Sequence, residues 1–217
     1  MSGYITFWSK EYVKQIKKNC DNGNFCVVYG SQHTRMPGIS AVKVGDIVYP
    51  VSIKDGTLCI MARLPIDKIE PAYDYLIRET GLPHSALIPE GILIQKQGPY
   101  GQFNVFRNGS GYTGEIELPE NIHTIIQEEV LSVKPHKFHQ EPITCCADIA
   151  ASGTKGSPIQ ERIVPIEDVK TFLFGKTKSS QKPLRLDKSG KLTSISLSGF
   201  TRKMSDDTFQ YFEKLFF

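Results

Sequence analysis

Two stretches of the chain combine residue types that can do chemistry. The first is Gly30-Ser-Gln-His-Thr-Arg35, a polar loop that follows the apolar run Phe25–Tyr29. Gln32 and His33 offer planar donors and acceptors, and Arg35 offers a five-donor fork that fits a phosphate or a carboxylate. Tyr29, at the end of the run, can stack on a base or another ring. The plainer alternative is that His33 and Arg35 bond neighbouring carbonyls and hold a long loop in shape. The second stretch carries Lys176, Lys178, Lys182, Arg185, Lys188, Lys191, Arg202 and Lys203 against Asp187 alone. It holds a net +7 where the whole chain holds +3, so the other residues sum to −4. A field of this kind attracts nucleic acid or an acidic protein, and the plainer alternative is a solvated, lysine-rich turn region. The one aromatic residue there is Phe200. Phosphate contacts with a steep salt dependence, rather than base stacking, would therefore carry nucleic-acid binding.

Three further constellations carry less. His136 and His139 stand three apart with Cys145-Cys146 downstream. Adjacent residues of a strand point to opposite faces, and no Cys-x-x-Cys clip is present, so neither a metal nor another cofactor is expected. Cys145 or Cys146 with Asp148 could form a nucleophile, but the apolar neighbours Ile143, Ala147 and Ile149 favour inert thiols. The loop Ser152-Gly-Thr-Lys-Gly-Ser157 has the small residues and the lysine of a phosphate cradle without the Walker spacing, and reads more simply as a connection.

The elements that would position these residues are short. Tyr4–Trp8 reads as a strand, followed by a helix capped by Ser9 with Tyr12, Val13, Ile16 and Cys20 on one face. Phe25–Tyr29, Ile47–Ile53 and Thr57–Leu64 read as strands, the last two joined by the hairpin signal Lys54-Asp55-Gly56. Pro50 lies inside one arm and belongs at an edge or a bulge, because proline donates nothing to a ladder. A helix with Pro71 in its first turn follows, then short strands over Ile92–Gln95, Gly98–Asn108 and Gly111–Leu118 with a turn at Asn108-Gly109. Pro165 starts a helix over Ile166–Phe174, with Gly175 as its stop. Pro183–Leu186 and Leu192–Leu197 alternate apolar and polar residues like a two-stranded ribbon around Lys188-Ser-Gly190. Ser205 caps a last helix with Asp206 and Asp207 in its first turn and Phe209, Phe212 and Phe216 on one face.

The stretch from Tyr4 to Ile66 resembles the PUA-like superfamily, most of all its EVE and ASCH branches. The likeness lies in the strand ending at Tyr29, the Gly30–Arg35 loop and the run Val42-Lys-Val-Gly-Asp-Ile-Val-Tyr49. The resemblance implies a small pseudobarrel whose cleft takes a nucleobase, with Tyr29, Gln32, His33 and Arg35 facing it and Gly45 and Asp46 structural. The expected fold is α+β, a PUA-like pseudobarrel or a twisted, mostly antiparallel sheet with peripheral helices. It is divided as 1–81 and a β-rich 82–217 or forms one continuous domain.

Composition bounds the function. Hydrophobic content of 40% and charged content of 23% suit a globular chain, and no apolar run approaches a membrane span. Five irregularly spaced cysteines read as reduced thiols in a cytoplasmic protein. No enzyme signature stands out. The leading expectation is a non-enzymatic module that binds nucleic acid or a nucleotide through Tyr29, Gln32, His33 and Arg35 and through the basic segment. The alternative is an immunity or antitoxin protein that blocks a toxin partner, and the third is a cysteine-dependent enzyme.

Overall fold

Six short strands of mixed direction form the sheet on which the rest of the chain is hung. In the computed structural model, residues 1–10, 13–14, 24–30, 39, 41–71, 75, 78, 92–97, 102–107, 149–197 and 201–217 are described, with the backbone alone at 29, 30, 71, 92–97 and 102–107. Strands β1 (Gly3–Phe7), β3 (Ile47–Lys54), β4 (Thr57–Ile60), β5 (Leu64–Pro65), β10 (Arg162–Ile163) and β13 (Arg202–Lys203) run in the order β10-β4-β3-β1-β13, with β5 also paired to β3. The β1–β3 pair is parallel and the others are antiparallel, so the sheet is mixed. Among the described residues it does not close into a barrel; β10 and β13 are its edges. The chain is α+β.

A smaller antiparallel sheet packs on one face. It consists of β2 (Val27–Gly30), β9 (Ile149–Ser152) and β6 (Lys68–Pro71), with β9 in the middle. Phe25, Val28 and Ala151 meet Tyr4, Trp8, Val48, Met61 and Leu64 in the core between the sheets. Trp8 is 1% exposed and stands edge-on to Phe25, with ring centroids 5.3 Å apart. A second core lies on the opposite face, where Ile5, Tyr49, Val51 and Ile60 meet α1 (Ile166–Thr171), α3 (Asp206–Lys214) and the leucines of the basic segment. Strands β9, β10 and β13 thus join sheets begun by residues before 72. A separate hairpin joins β7 (Ile92–Gln97) to β8 (Gln102–Arg107).

Local chemistry explains the elements. Asp55 (φ 54°) and Gly56 (φ 81°) form the two-residue hairpin turn between Lys54 and Thr57, as Asp-Gly predicts. Pro50 sits in a central strand at a bulge. Val48 pairs with Leu64 and Val51 with Ile60, so Met61–Arg63 face Tyr49–Pro50, three residues against two. The Pro50 carbonyl accepts from Met61 N at 2.9 Å, so its missing N–H falls where the ladder is already interrupted. Ser205 caps α3 through its hydroxyl, which accepts from Thr208 N. Gly45 (φ 88°) turns the chain into β3, and the buried Asp46 carboxylate accepts from Ser2 N at 2.7 Å and Lys43 N at 3.0 Å.

Several expectations are corrected. Pro71 ends strand β6 instead of opening a helix, although Tyr75 and Arg78 beyond it are helical. Strand β8 covers Gln102–Arg107 and pairs with β7, while the expected Asn108-Gly109 turn and the strand Gly111–Leu118 lie outside the described residues. Helix α1 stops at Thr171, and Leu173–Phe174 becomes strand β11, paired with β12 (Lys182–Pro183). Leu192–Leu197 is not a strand: Ser194–Leu197 is a helical turn, α2.

Candidate functional site

The basic segment is a layer over the second core. Leu184, Leu192 and Leu197 are buried beneath it, while Lys176, Lys178, Lys182, Arg185, Lys188 and Lys191 are exposed. Ile195, an apolar position of the expected ribbon, is 78% exposed, because Ser194–Leu197 is a helical turn and not a strand. Asp187 is consumed by its own turn: Oδ1 accepts from Ser189 N, Ser189 Oγ and Lys191 N at 2.7–2.9 Å. These bonds, the Lys191 amide first, hold its carboxyl below the usual range. None of the eight cations pairs with a carboxylate among the described residues.

The two ends of this segment meet. Gly175 N donates to Lys203 O at 2.9 Å, and Phe174 pairs with both Lys182 and Met204. Lys176, Lys182 and Lys203 are thereby held within a few strand spacings, each about 4.8 Å. At the other end, Leu192 N donates to Gly56 O at 2.7 Å, and the Lys191 stem lies over Gly56 at the tip of the β3–β4 hairpin. Tyr4, which pairs with Lys203, lies level with Val48, six residues before Lys54. At about 3.3 Å per residue the charge therefore extends roughly 20 Å along the sheet.

Beside the smaller sheet a cleft of about 560 Å³ is lined by Cys26, Lys68, Tyr75, Arg78, Ser152 and Thr154 among others. Several of its polar groups already have partners. Glu70 binds Lys68 at 2.5 Å and also Arg78, whose guanidinium lies over the Tyr75 ring. Thr154 donates from N and Oγ1 to Asp67 Oδ2, both at 2.7 Å, holding that carboxyl below its usual range. Gly153 N donates to Cys26 O and Ser157 N to Arg63 O. The amides at 153, 154 and 157 are therefore spent inside the protein, and the loop 152–157 is built for close packing rather than as a phosphate cradle.

A cluster that the sequence reading missed anchors α3. Arg63 Nε and Nη2 donate to the two Glu213 oxygens at 2.6 and 2.9 Å, and Tyr49 Oη donates to the same carboxylate. Arg63 also lies over the Phe217 ring, and Arg162 lies 4.1 Å from the centroid of Phe216. One signal for it is present in the sequence. Glu213 lies four residues after Phe209 and three before Phe216, inside the apolar stripe, where a charge needs a partner. Burial alone would raise the Glu213 carboxyl, but the bonds from Arg63 and Tyr49 outweigh it and hold the group low; burial and the bond to Glu213 push the Tyr49 hydroxyl up. A depressed carboxyl contributes stability that is full above its unfolded value and lost as pH falls through the folded one. Glu213→Gln is therefore expected to lower unfolding free energy at neutral pH, with the difference from the parent shrinking below the ordinary value of 4.5. Urea titrations at several pH values check this, and a difference independent of pH would contradict it.

Of the loop residues, Tyr29 is placed by backbone pairing with Ala150, whereas Gln32, His33 and Arg35 lie outside the described residues. His136, His139, Cys145, Cys146 and Asp148 do too. Among the described residues there is no group of three or more His, Cys, Asp or Glu side chains able to hold a metal, and no helix long and apolar enough to cross a membrane. Comparisons with protein-family models, curated proteins and solved structures return no match.

Proposed function

We propose that this chain binds nucleic acid through the phosphate backbone, using the layer from Lys176 to Lys203, with the Gln32–Arg35 loop reading a base or phosphate. The observation that carries the reading is the set of eight cations without a carboxylate partner among the described residues, six of them exposed on a frame tied to the sheet at both ends. A solvated lysine-rich turn would need no such frame. The resemblance of Tyr4–Ile66 to PUA-like domains points the same way, and a PUA-like pseudobarrel is the finer fold that accompanies this reading.

The test is a fluorescence-anisotropy titration of labelled duplex DNA and single-stranded RNA over a range of salt. Four to six phosphate contacts predict a log–log salt slope of about −3 to −5. Lys176→Gln, Lys178→Gln, Lys182→Gln and Lys188→Gln combined should weaken binding at least about tenfold and flatten the slope by about 3. Absence of binding by the parent chain at low salt would remove the proposal.

A further inference from the structure

Arg202 differs from the other described arginines. Arg63 is paired with Glu213, Arg78 with Glu70, and Arg162 donates to Gln160 and stacks on Phe216; Arg185 is exposed. Arg202 is half-buried, and its side chain makes no hydrogen bond, ion pair or ring contact among the described residues. It pairs with Ile5 across the β1–β13 ladder, and directly paired residues share a face, so it emerges on the face of the second core. Burial pushes its guanidinium below the usual arginine range. Beside it, Thr201 Oγ1 is a buried hydroxyl without a hydrogen-bond partner.

A half-buried cation thus lacks a partner at the edge strand where the ends of the basic segment meet. A desolvated cation without an acceptor destabilises a fold, and natural chains retain such conflicts at functional sites. The missing complement is an anion. A guanidinium offers a planar fork of donors that suits the non-bridging oxygens of a phosphodiester. Lys176 follows Gly175, whose N–H donates to the neighbouring Lys203 O at 2.9 Å.

We propose that Arg202 is the anchoring phosphate site of this surface, and that the exposed lysines add only diffuse attraction. The inference rests on the nucleic-acid reading above. It requires that affinity be concentrated at one residue and that this residue reduce the stability of the ligand-free fold.

The experiment measures duplex binding and ligand-free melting for Arg202→Met, Arg202→Lys and Lys188→Gln. Arg202→Met keeps the apolar stem and removes the charge. It should weaken binding at least about tenfold, against less than about threefold for Lys188→Gln, and melt no lower than the parent. Arg202→Lys keeps the charge without the fork and should still lose about threefold or more. If the parent chain binds and Arg202→Met binds within about threefold of it, the anchor is wrong while the broader reading stands. A lower melting temperature for Arg202→Met also overturns the inference, since the arginine would then be structural. No binding by the parent chain overturns both.

Discussion

Phe212→Ala is expected to cost about 3–5 kcal/mol of stability, the range for emptying a fully buried aromatic site. Phe212 is 0% exposed and stands edge-on between two rings, 5.2 Å from Tyr49 and 5.5 Å from Phe172. Tyr49 belongs to the central strand and Phe172 caps α1, so one side chain joins three elements. The rings are held on their far sides, Tyr49 by Glu213 and Phe172 by Tyr211. Such a site cannot collapse, which places the cost toward the upper end. In a chain of this size each kcal/mol shifts the melting temperature by about 2–4 °C, so a fall of roughly 10 °C is expected by calorimetry. Leu215→Ala, at a position 37% exposed, is the control and should change stability by less than about 1 kcal/mol. A loss for Phe212→Ala no larger than the control would mean that α3 is not docked as described. The basic segment is tied to the same contact. Leu173 N donates to Thr208 Oγ1 and Ser205 N to Leu173 O, so α3 fixes the strand that opens the basic segment. If the proposed nucleic-acid binding holds, loosening α3 should weaken it without removing a single cation.

What could be read from the sequence divides along physical lines. Helix α3 was legible because its cap, its acidic first turn and its phenylalanine stripe are all local. The Asp55-Gly56 turn was legible because few residue pairs accept positive φ in succession. The order β10-β4-β3-β1-β13 was not, since β1 meets a strand some 200 residues away and nothing local encodes that partner. Leu192–Leu197 shows one signal overriding another. Its alternation suggested a strand, but Thr193 N donates to Ser196 Oγ and Ser196 N to Thr193 O, and this reciprocal cap closes a helical turn. The cations at the candidate site could be counted from the sequence. That Arg202 is half-buried while Lys188 is exposed could not, because it depends on which strand lies beside Ile5.

Gly156→Ala is the second large expected effect, and it decides what the loop 152–157 is for. A Cβ at Gly156 would lie 1.6 Å from Phe25 O and 2.8 Å from Phe25 C. Both atoms are backbone, so no rotamer change relieves the overlap. The Phe25 backbone is itself held, since its N–H donates to Ser157 O at 2.9 Å and Asn24 bridges to Pro158. The displacement would pass to the Phe25 ring, then to Trp8 against it, and so into the core between the two sheets. Overpacking against movable side chains costs about 1–3 kcal/mol, and with backbone on both sides a loss of about 3 kcal/mol or more is expected. Gly45→Ala separates this cause from conformational strain. Nothing lies within 4 Å of its Cβ position, yet φ is +88°, so only the left-handed penalty of about 1–2 kcal/mol applies. Chemical denaturation of both variants tests the ranking. If Gly156→Ala unfolds no more readily than Gly45→Ala but loses affinity for phosphate-bearing ligands, the loop is a ligand cradle and its glycines serve ligand approach. The expected result is the reverse, because the amides at 153, 154 and 157 already donate to Cys26 O, Asp67 Oδ2 and Arg63 O and have nothing left to offer a phosphate.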